Sequence, residues 1–327
     1  LLVESYIGTY DGIVGERADV IRQHFPHLSD AQVQAHAERD ARIISRYTRS
    51  NVLRIEEIVR QENLECDYSP AGWLQLASDE HEERALETDA ALLGVDSEPA
   101  EPDDVAPLWR NAWRPQYRSR WIYRSGNYHP VKFVRGILSR ALSQPQMWLM
   151  TQTRVHEIQG QDVITNRGTV KAGRIIVATN AFTPLLLPDF QGGVTCTPSQ
   201  IVNVEHVPQA LQGATVTERA GEIYYNFPQA TVYRRGRKTF GMLHYGTDFS
   251  HPVPDPYSIR RDSRLFRKML AEIHERFPET RQQPPSRCWA GPLAMTSDRT
   301  PIIGWLNEHV FLAVGFNGFG GSWCIEA

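Results

Sequence analysis

The residues best suited to chemistry lie near the end of the chain. Gly315, Gly318, Gly320 and Gly321 share one short run, Gly315-Phe316-Asn317-Gly318-Phe319-Gly320-Gly321-Ser322, directly after the apolar stretch His309 to Val314. Glycine lets backbone N–H groups approach a ligand closely, and a helix start attracts negative charge. A buried strand, this loop and a helix opening near Ser322 would form a corner for an anion. The run lacks the GxGxxG spacing of a pyrophosphate fingerprint, so the anion would be a different one. By pattern alone, a plain tight turn is an equal reading.

A second candidate is Ala178-Thr179-Asn180-Ala181, which ends the β-branched run from Arg174 to Thr179. Ligands of open α/β sheets bind beyond the carboxyl ends of such strands, although a simple exit from strand to loop fits as well. His244 and Tyr245 end a strand in an aromatic block that also holds Tyr224 and Tyr225. They could line a substrate pocket, set against the commoner use of such aromatics in core packing. Trp289-Ala290-Gly291-Pro292 and Thr296 to Gly304 read as turns, the second with an Asp side-chain cap. His24 and His27 make an HxxH without a carboxylate or Cys at ligand spacing, so no metal site is expected. The sequence has no P-loop, GxSxG, HExxH or EF-hand pattern.

These stretches need elements to hold them. A helix is expected over 29–63, where Ser29-Asp30 can cap it and Ile44, Val52, Ile55 and Val59 recur at mostly helical spacing. Further helices are expected over 79–93, over 131–142 with Pro130 at the first position, and over 260–277. Short strands are expected at 72–77, 147–151, 154–158, 162–165 and 169–172, with Asn166-Arg167-Gly168 as a hairpin turn. The run 174–179 suits a parallel strand buried on both faces. Strands are also expected at 202–205, 222–226, 231–234, 239–244 and 309–314, and the acidic, proline-containing stretch 98–107 reads as a surface connection. Helices and parallel-type strands thus alternate with an antiparallel block, as when two domains exchange the chain.

The 327 residues are enough for about two domains. With 41% hydrophobic residues, 22% charged residues and a net charge of −3, the composition is that of an ordinary globular protein. Such a balance does not suit gripping a nucleic-acid backbone by bulk charge, and no apolar run reaches the ~18–20 residues of a membrane span. Cys66, Cys196, Cys288 and Cys324 lie far apart without a CxxC, which favours a reducing, cytoplasmic setting.

Four blocks in order carry a likeness: Gly72-Trp73-Leu74-Gln75-Leu76-Ala77; His129 to Val134 with its helix; Gly173 to Ala181; and Trp289 to Gly304 with Gly315 to Gly321. From about residue 45 onward the sequence resembles the D-amino-acid-oxidase-like family of FAD-dependent oxidoreductases, which includes glycine and sarcosine oxidases. Within it, the chain resembles the amine-oxidising branch of the gamma-glutamylputrescine oxidoreductase kind. The resemblance implies FAD as cofactor, with Val155 near the adenosine and Ala178, Thr179 and Asn180 at the phosphate–ribose region. It places Gly315, Gly318, Phe319, Gly320 and Gly321 at the flavin ring. Similarity to monomeric sarcosine oxidases also raises Cys288 as a thiol for covalent flavin attachment, set against a small buried residue beside Trp289.

Two departures matter. The family opens with a strand, a GxGxxG loop and an acidic residue, whereas Gly8, Gly12 and Gly15 have the wrong spacing. With the short final helix expected after Ser322, this implies that the chain lacks both ends of the FAD domain. Where amino-acid oxidases of the family often carry Arg-Pro after Trp-x-Gly-x, this chain has Leu293-Ala294.

The expected fold is α/β. An incomplete Rossmann-type FAD-binding domain (1–65, 126–195 and 288–327) is interleaved with a mostly antiparallel substrate domain (66–125 and 196–287). The expected function is oxidation of a C–N bond in an amine or amino acid by hydride transfer to flavin N5, the imine then hydrolysing. Oxygen or a quinone would accept the electrons, and His244 and Tyr245 would face the substrate. A scaffold that kept the fold but lost FAD is the alternative. A pyridine-nucleotide dehydrogenase explains the C-terminal block poorly.

Overall fold

The computed structural model describes residues 10–325 except 95, 206, 208, 220–222, 228–231, 235, 236, 240, 241, 250 and 283. For 10–12, 16, 92, 93, 209, 232–234, 237–239 and 242–249 it describes the backbone alone.

Helix α1 (Tyr10–His24) precedes α2 (Asp30–Gln61). Gly12 and Gly15 fall inside α1, while Gly8 lies outside the described residues. The start of α2 is a complete capping box: the Gln32 N–H donates to the Ser29 hydroxyl, and the Ser29 N–H donates to the Gln32 side chain. Two donors that the helix cannot satisfy are thereby paired. Val33, Ala37, Ala41 and Ile44 recur on one face of α2 and bury it against Ile13, Val14, Ala18 and Ile21 of α1.

There follow β1 (Trp73–Gln75), α3 (Glu80–Leu93), β2 (Ser97–Ala100), the short α4 (Pro102–Val105), β3 (Ser119–Ile122) and α5 (Pro130–Leu142). A meander of β4 (Val155–Gln159), β5 (Asp162–Thr165) and β6 (Gly168–Lys171) leads to β7 (Ile175–Val177) and the short α6 (Thr183–Leu186). Then come β8 (Val194–Glu205), β9 (Thr215–Glu218), β10 (Ile223–Asn226), β11 (Val232–Arg234), β12 (Arg237–Thr239) and β13 (Met242–Phe249). Helix α7 (Ser263–Arg276), β14 (Arg287–Thr296), β15 (Ile302–Trp305) and β16 (Val310–Val314) complete the order.

Among the described residues the main sheet has eight strands, ordered β14-β8-β13-β10-β9-β1-β3-β2. All neighbours are antiparallel except β1 and β9. Val202, Val204, Val216, Ile223 and Tyr225 bury one face against Phe266, Met269 and Ile273 of α7, with Phe277 and Trp109 alongside. Each such fully buried apolar side chain contributes roughly 1.5–3 kcal/mol. A smaller sheet, β15-β16-β7, pairs β16 with β7 in parallel. This is a mixed α/β fold in which the largest sheet is almost wholly antiparallel.

Several local expectations are corrected. Trp289 to Pro292 is not a turn but the interior of β14. The sheet tolerates Pro292 because β14 is an edge strand and because Pro292 stands opposite Pro198. Two prolines can face each other only at a position where neither N–H is needed for the ladder. The stretch 98–107 contains edge strand β2, with Pro99 inside it, and then helical turns. No strand forms at 147–151, where Trp148 is 80% exposed. In β7 Ile175 and Val177 share one face and Val177 is buried, whereas Ile176, on the opposite face, is 72% exposed because among the described residues little covers that face. At the end of the glycine run, the described residues make a single 3-10 turn, Gly320–Ser322, and residues 323–325 do not continue it as the first turns of an α-helix.

Candidate active site around the glycine loop

The loop after β16 needs glycine at two places for its own shape. Gly315 has φ 73°, and a Cβ there would lie 2.7 Å from the Thr296 methyl; Gly318 has φ 83°. Three asparagines then fix the loop. Asn180, just past β7, accepts the Gly315 and Phe316 N–H groups on Oδ1 at 3.1 and 3.3 Å. Its φ of 46° is a left-handed conformation that Asn tolerates. Asn317 is buried: its Nδ2 donates to the Gly315 carbonyl at 2.6 Å, and its Oδ1 accepts the Thr296 N–H at 2.8 Å. From α2, Asn51 Nδ2 donates to the Gly321 carbonyl at 3.0 Å, and Asn51 Oδ1 accepts the Ile325 N–H at 2.8 Å.

With its carbonyls held in this way, the loop keeps donors in reserve. Among the described residues, the N–H groups of Gly318, Gly320 and Gly321 have no protein acceptor. Phe319 packs against Trp73 and Ile122, so the loop lies against the main sheet on the side away from α7. That face is polar. Trp73 Nε1 donates to Thr217 at 2.8 Å, and Thr215 donates to Asn127 at 3.1 Å and to Asn226 at 3.2 Å. Burial pushes the Tyr224 phenol up to about 12 against an opposing hydrogen bond from Ser199, so it stays protonated and able to donate at neutral pH.

The other sequence candidates are placed as follows. Thr179 shares a 3.0 Å hydroxyl hydrogen bond with Thr183, and Ala178 is exposed at the exit of β7. Val155 opens β4 opposite Thr165. His244 pairs in register with Asn203 and Asn226, and Tyr245 with Val202 and Tyr225. Their side chains lie outside the described residues. Leu293 reaches the loop: a Cβ on Gly318 would sit 3.4 Å from Leu293 Cδ1. Cys288 stands opposite Val202, in the core beneath α7, and burial pushes its thiol up. A thiol so placed is neither ionised nor beside the loop. The expected Asp cap is present, with the Thr300 N–H donating to Asp298 Oδ1 at 3.1 Å and Arg17 binding Asp298 Oδ2.

Asn51 was not singled out in the sequence, and Asn317 and Thr296 stood there only as members of longer runs, without a role of their own. A signal existed for Asn51, a lone amide within the apolar stripe Ala41, Ile44, Ile55 of α2. Two cavities, of about 320 Å³ beside Met150 and Val170 and about 210 Å³ beside Trp113 and Arg276, do not touch the loop.

A family model described as FAD dependent oxidoreductase (DAO) matches residues 11–325. The chain belongs to the DAO family. Its members are FAD-dependent, and the glycine loop fits a flavin ring, since it offers open N–H donors and no side chain at 318, 320 or 321. OrdL of Haemophilus influenzae, named as a probable oxidoreductase, is 24% identical over 281 residues, which are 81% of this chain and 61% of OrdL. Gamma-glutamylputrescine oxidoreductase of Escherichia coli is 21% identical over 270 residues, with the same coverage of 81% and 61%. This DAO chain thus spans less than two thirds of the length of these curated relatives. Among solved structures, L-proline dehydrogenase from P. horikoshii matches with a TM-score of 0.72 at 19% identity, over 86% of this chain and 76% of that one. Glycine oxidase from Geobacillus kaustophilus matches with a TM-score of 0.69 at 18% identity, over 98% and 82%. No helix among the described residues is long and apolar enough to cross a membrane.

Proposed function

We propose that this DAO-family oxidoreductase oxidises the C–N bond of an amine or amino acid. The observation that carries the reading is the pair of open N–H donors at Gly320 and Gly321, fixed beneath a polar sheet face. When bound, FAD supplies the hydride acceptor, and the imine product hydrolyses in water while oxygen or a quinone takes up the electrons. Gly318 to Gly321 would hold the flavin ring, and the open N–H groups of Gly318, Gly320 and Gly321 would offer preorganised donors to negative charge on it. Ala178, Thr179 and Asn180 face the phosphate–ribose region, and the Val155 backbone faces the adenosine. His244 and Tyr245 flank the substrate, whose reacting C–H the sheet face orients. The cytoplasm suits the four free cysteines.

Within this reading the substrate is an amine whose carboxylate, if any, is not gripped at position 293. Leu293 beside Gly318 offers no charge-assisted hydrogen bond, so a carboxylate buried there would be underpaired. The name of the Escherichia coli relative, an oxidoreductase of gamma-glutamylputrescine, supports an amine.

The test is Gly320→Val in the holoprotein. An added Cβ at Gly320 meets only the Phe316 Cβ at 3.8 Å, so the polypeptide itself has room for it. Flavin content and turnover should therefore fall strongly while the fold persists. Unchanged flavin content with unchanged turnover would reduce the loop to a turn.

A further inference from the structure

The geometry points to Asn51 as a positioning residue that aims the Gly320–Gly321 donors from helix α2 and so sets the flavin's redox potential. This rests on the reading that the loop holds the flavin ring. Asn51 is fully buried, in the stripe that Ala41, Ile44, Thr48 and Ile55 make on α2. Helix packing alone does not call for an amide there, since burying one is costly unless it is hydrogen-bonded. Two bonds of its side chain go to the closing turn of the loop: Nδ2 donates to the Gly321 carbonyl and Oδ1 accepts the Ile325 N–H. One side chain thus ties together the two ends of the turn that closes the loop.

Tyr47 supports the same assignment. It lies four residues earlier on α2, hence on the same helix face, and its hydroxyl donates to the Trp323 carbonyl at 3.1 Å. Its ring also packs on Trp323 with centroids 5.1 Å apart. The helix therefore presents two side chains, one turn apart, to the carbonyls of residues 321 and 323. Two successive glycines leave peptide planes free to rotate. The Gly320 carbonyl, in the same peptide plane as the open Gly321 N–H, accepts the Trp323 and Cys324 N–H groups at 3.2 and 2.9 Å, and Asn51 holds the next plane through Gly321 O, so the turn that carries the donors is fixed at two successive carbonyls. Donors that need no reorientation stabilise a developing charge best. Asn51 itself touches neither substrate nor cofactor in this assignment.

The experiment compares Asn51→Leu with the unaltered holoprotein, by flavin midpoint potential and by thermal melting. Leu matches the stripe and nearly matches the volume. The midpoint potential should become more negative; a tenfold loss of preference for reduced over oxidised flavin is about 30 mV for a two-electron couple. The kcat should fall with KM nearly unchanged, and Tyr47→Phe should move the potential the same way by less. Should the Leu variant not hold flavin, Asn51→Ser is measured in the same way. A potential in Asn51→Leu or Asn51→Ser equal to that of the unaltered protein, whatever the melting temperature, overturns the assignment. Gly320→Val separates the two levels. If it moves flavin content or potential and the Asn51 variants do not, only the role of Asn51 fails. If none of them moves either quantity, the flavin-loop reading fails as well.

Discussion

The two faces of the eight-stranded sheet are made by the same strands and are chemically unlike. Beneath α7, Val202, Val204, Val216 and Tyr225 form a dry core. On the other side Thr215, Thr217, Tyr224 and Asn226 carry hydroxyls and an amide toward the side where Phe319 docks. Strand periodicity of two delivers both faces from one sequence. The core face spends its few polar groups on mutual pairing. Arg276 binds Glu218 through two nitrogens, at 2.8 and 2.5 Å, and Tyr225 donates to the same carboxylate at 2.5 Å. On the polar face, hydrogen bonds cross between strands and orient side chains, in keeping with the substrate-facing role proposed for it.

The largest expected effect breaks the core side. Arg276→Met leaves the Glu218 carboxylate buried without its cation, and such losses cost about 3–5 kcal/mol. Urea unfolding should show that loss, while the flavin spectrum of the surviving folded protein stays unchanged. A loss below about 1 kcal/mol would mean that the pair is solvated in practice.

A smaller effect sharpens the polar side. Amines lacking an α-carboxylate should outperform glycine, sarcosine and D-amino acids in a steady-state panel. If the amino acids instead win by tenfold in kcat/KM, about 1.4 kcal/mol of transition-state binding, the reading of Leu293 is wrong.

The smallest effect concerns Tyr224. Its folded pKa of about 12 exceeds the value of about 10 for an unfolded tyrosine. Between those values the unfolded chain binds fewer protons, so stability falls as pH rises through the window. Tyr224→Phe should cost about 0.5–1.5 kcal/mol at neutral pH through the Ser199 hydrogen bond. It should also flatten the alkaline slope, as urea melts at several pH values would reveal. Parallel slopes in the two proteins would remove Tyr224 from this account.

Much of this was legible beforehand, for local reasons. The capping box of α2, the Pro130 start of α5 and the glycine loop after β16 each depend on neighbours in sequence. What depended on distant partners was hidden. Trp289 to Pro292 has turn composition, and only its pairing with β8 makes it a strand. Ile176 sits in a β-branched run that suits burial on both faces, yet among the described residues little covers the face of β7 that carries it. Asn51 reads as an interruption of a stripe until Gly321, 270 positions further on, is seen beside it.

The prolines of the main sheet have a consequence for how copies of the protein meet one another. Pro292 lies in β14 and Pro99 in β2, the two outermost strands of the sheet among the described residues. Because Pro292 and Pro198 face each other at a position without ladder bonds, the missing donor of Pro292 is on the outward side of β14. An incoming strand would find a gap in the row of N–H groups it must pair with, and Pro99 removes a donor from the strand at the opposite margin. Exposed strand edges are templates for aggregation, and proline there is among the devices that blunt them. The residues that looked like turn-makers in the sequence therefore also discourage the broad sheet from continuing into a neighbouring molecule.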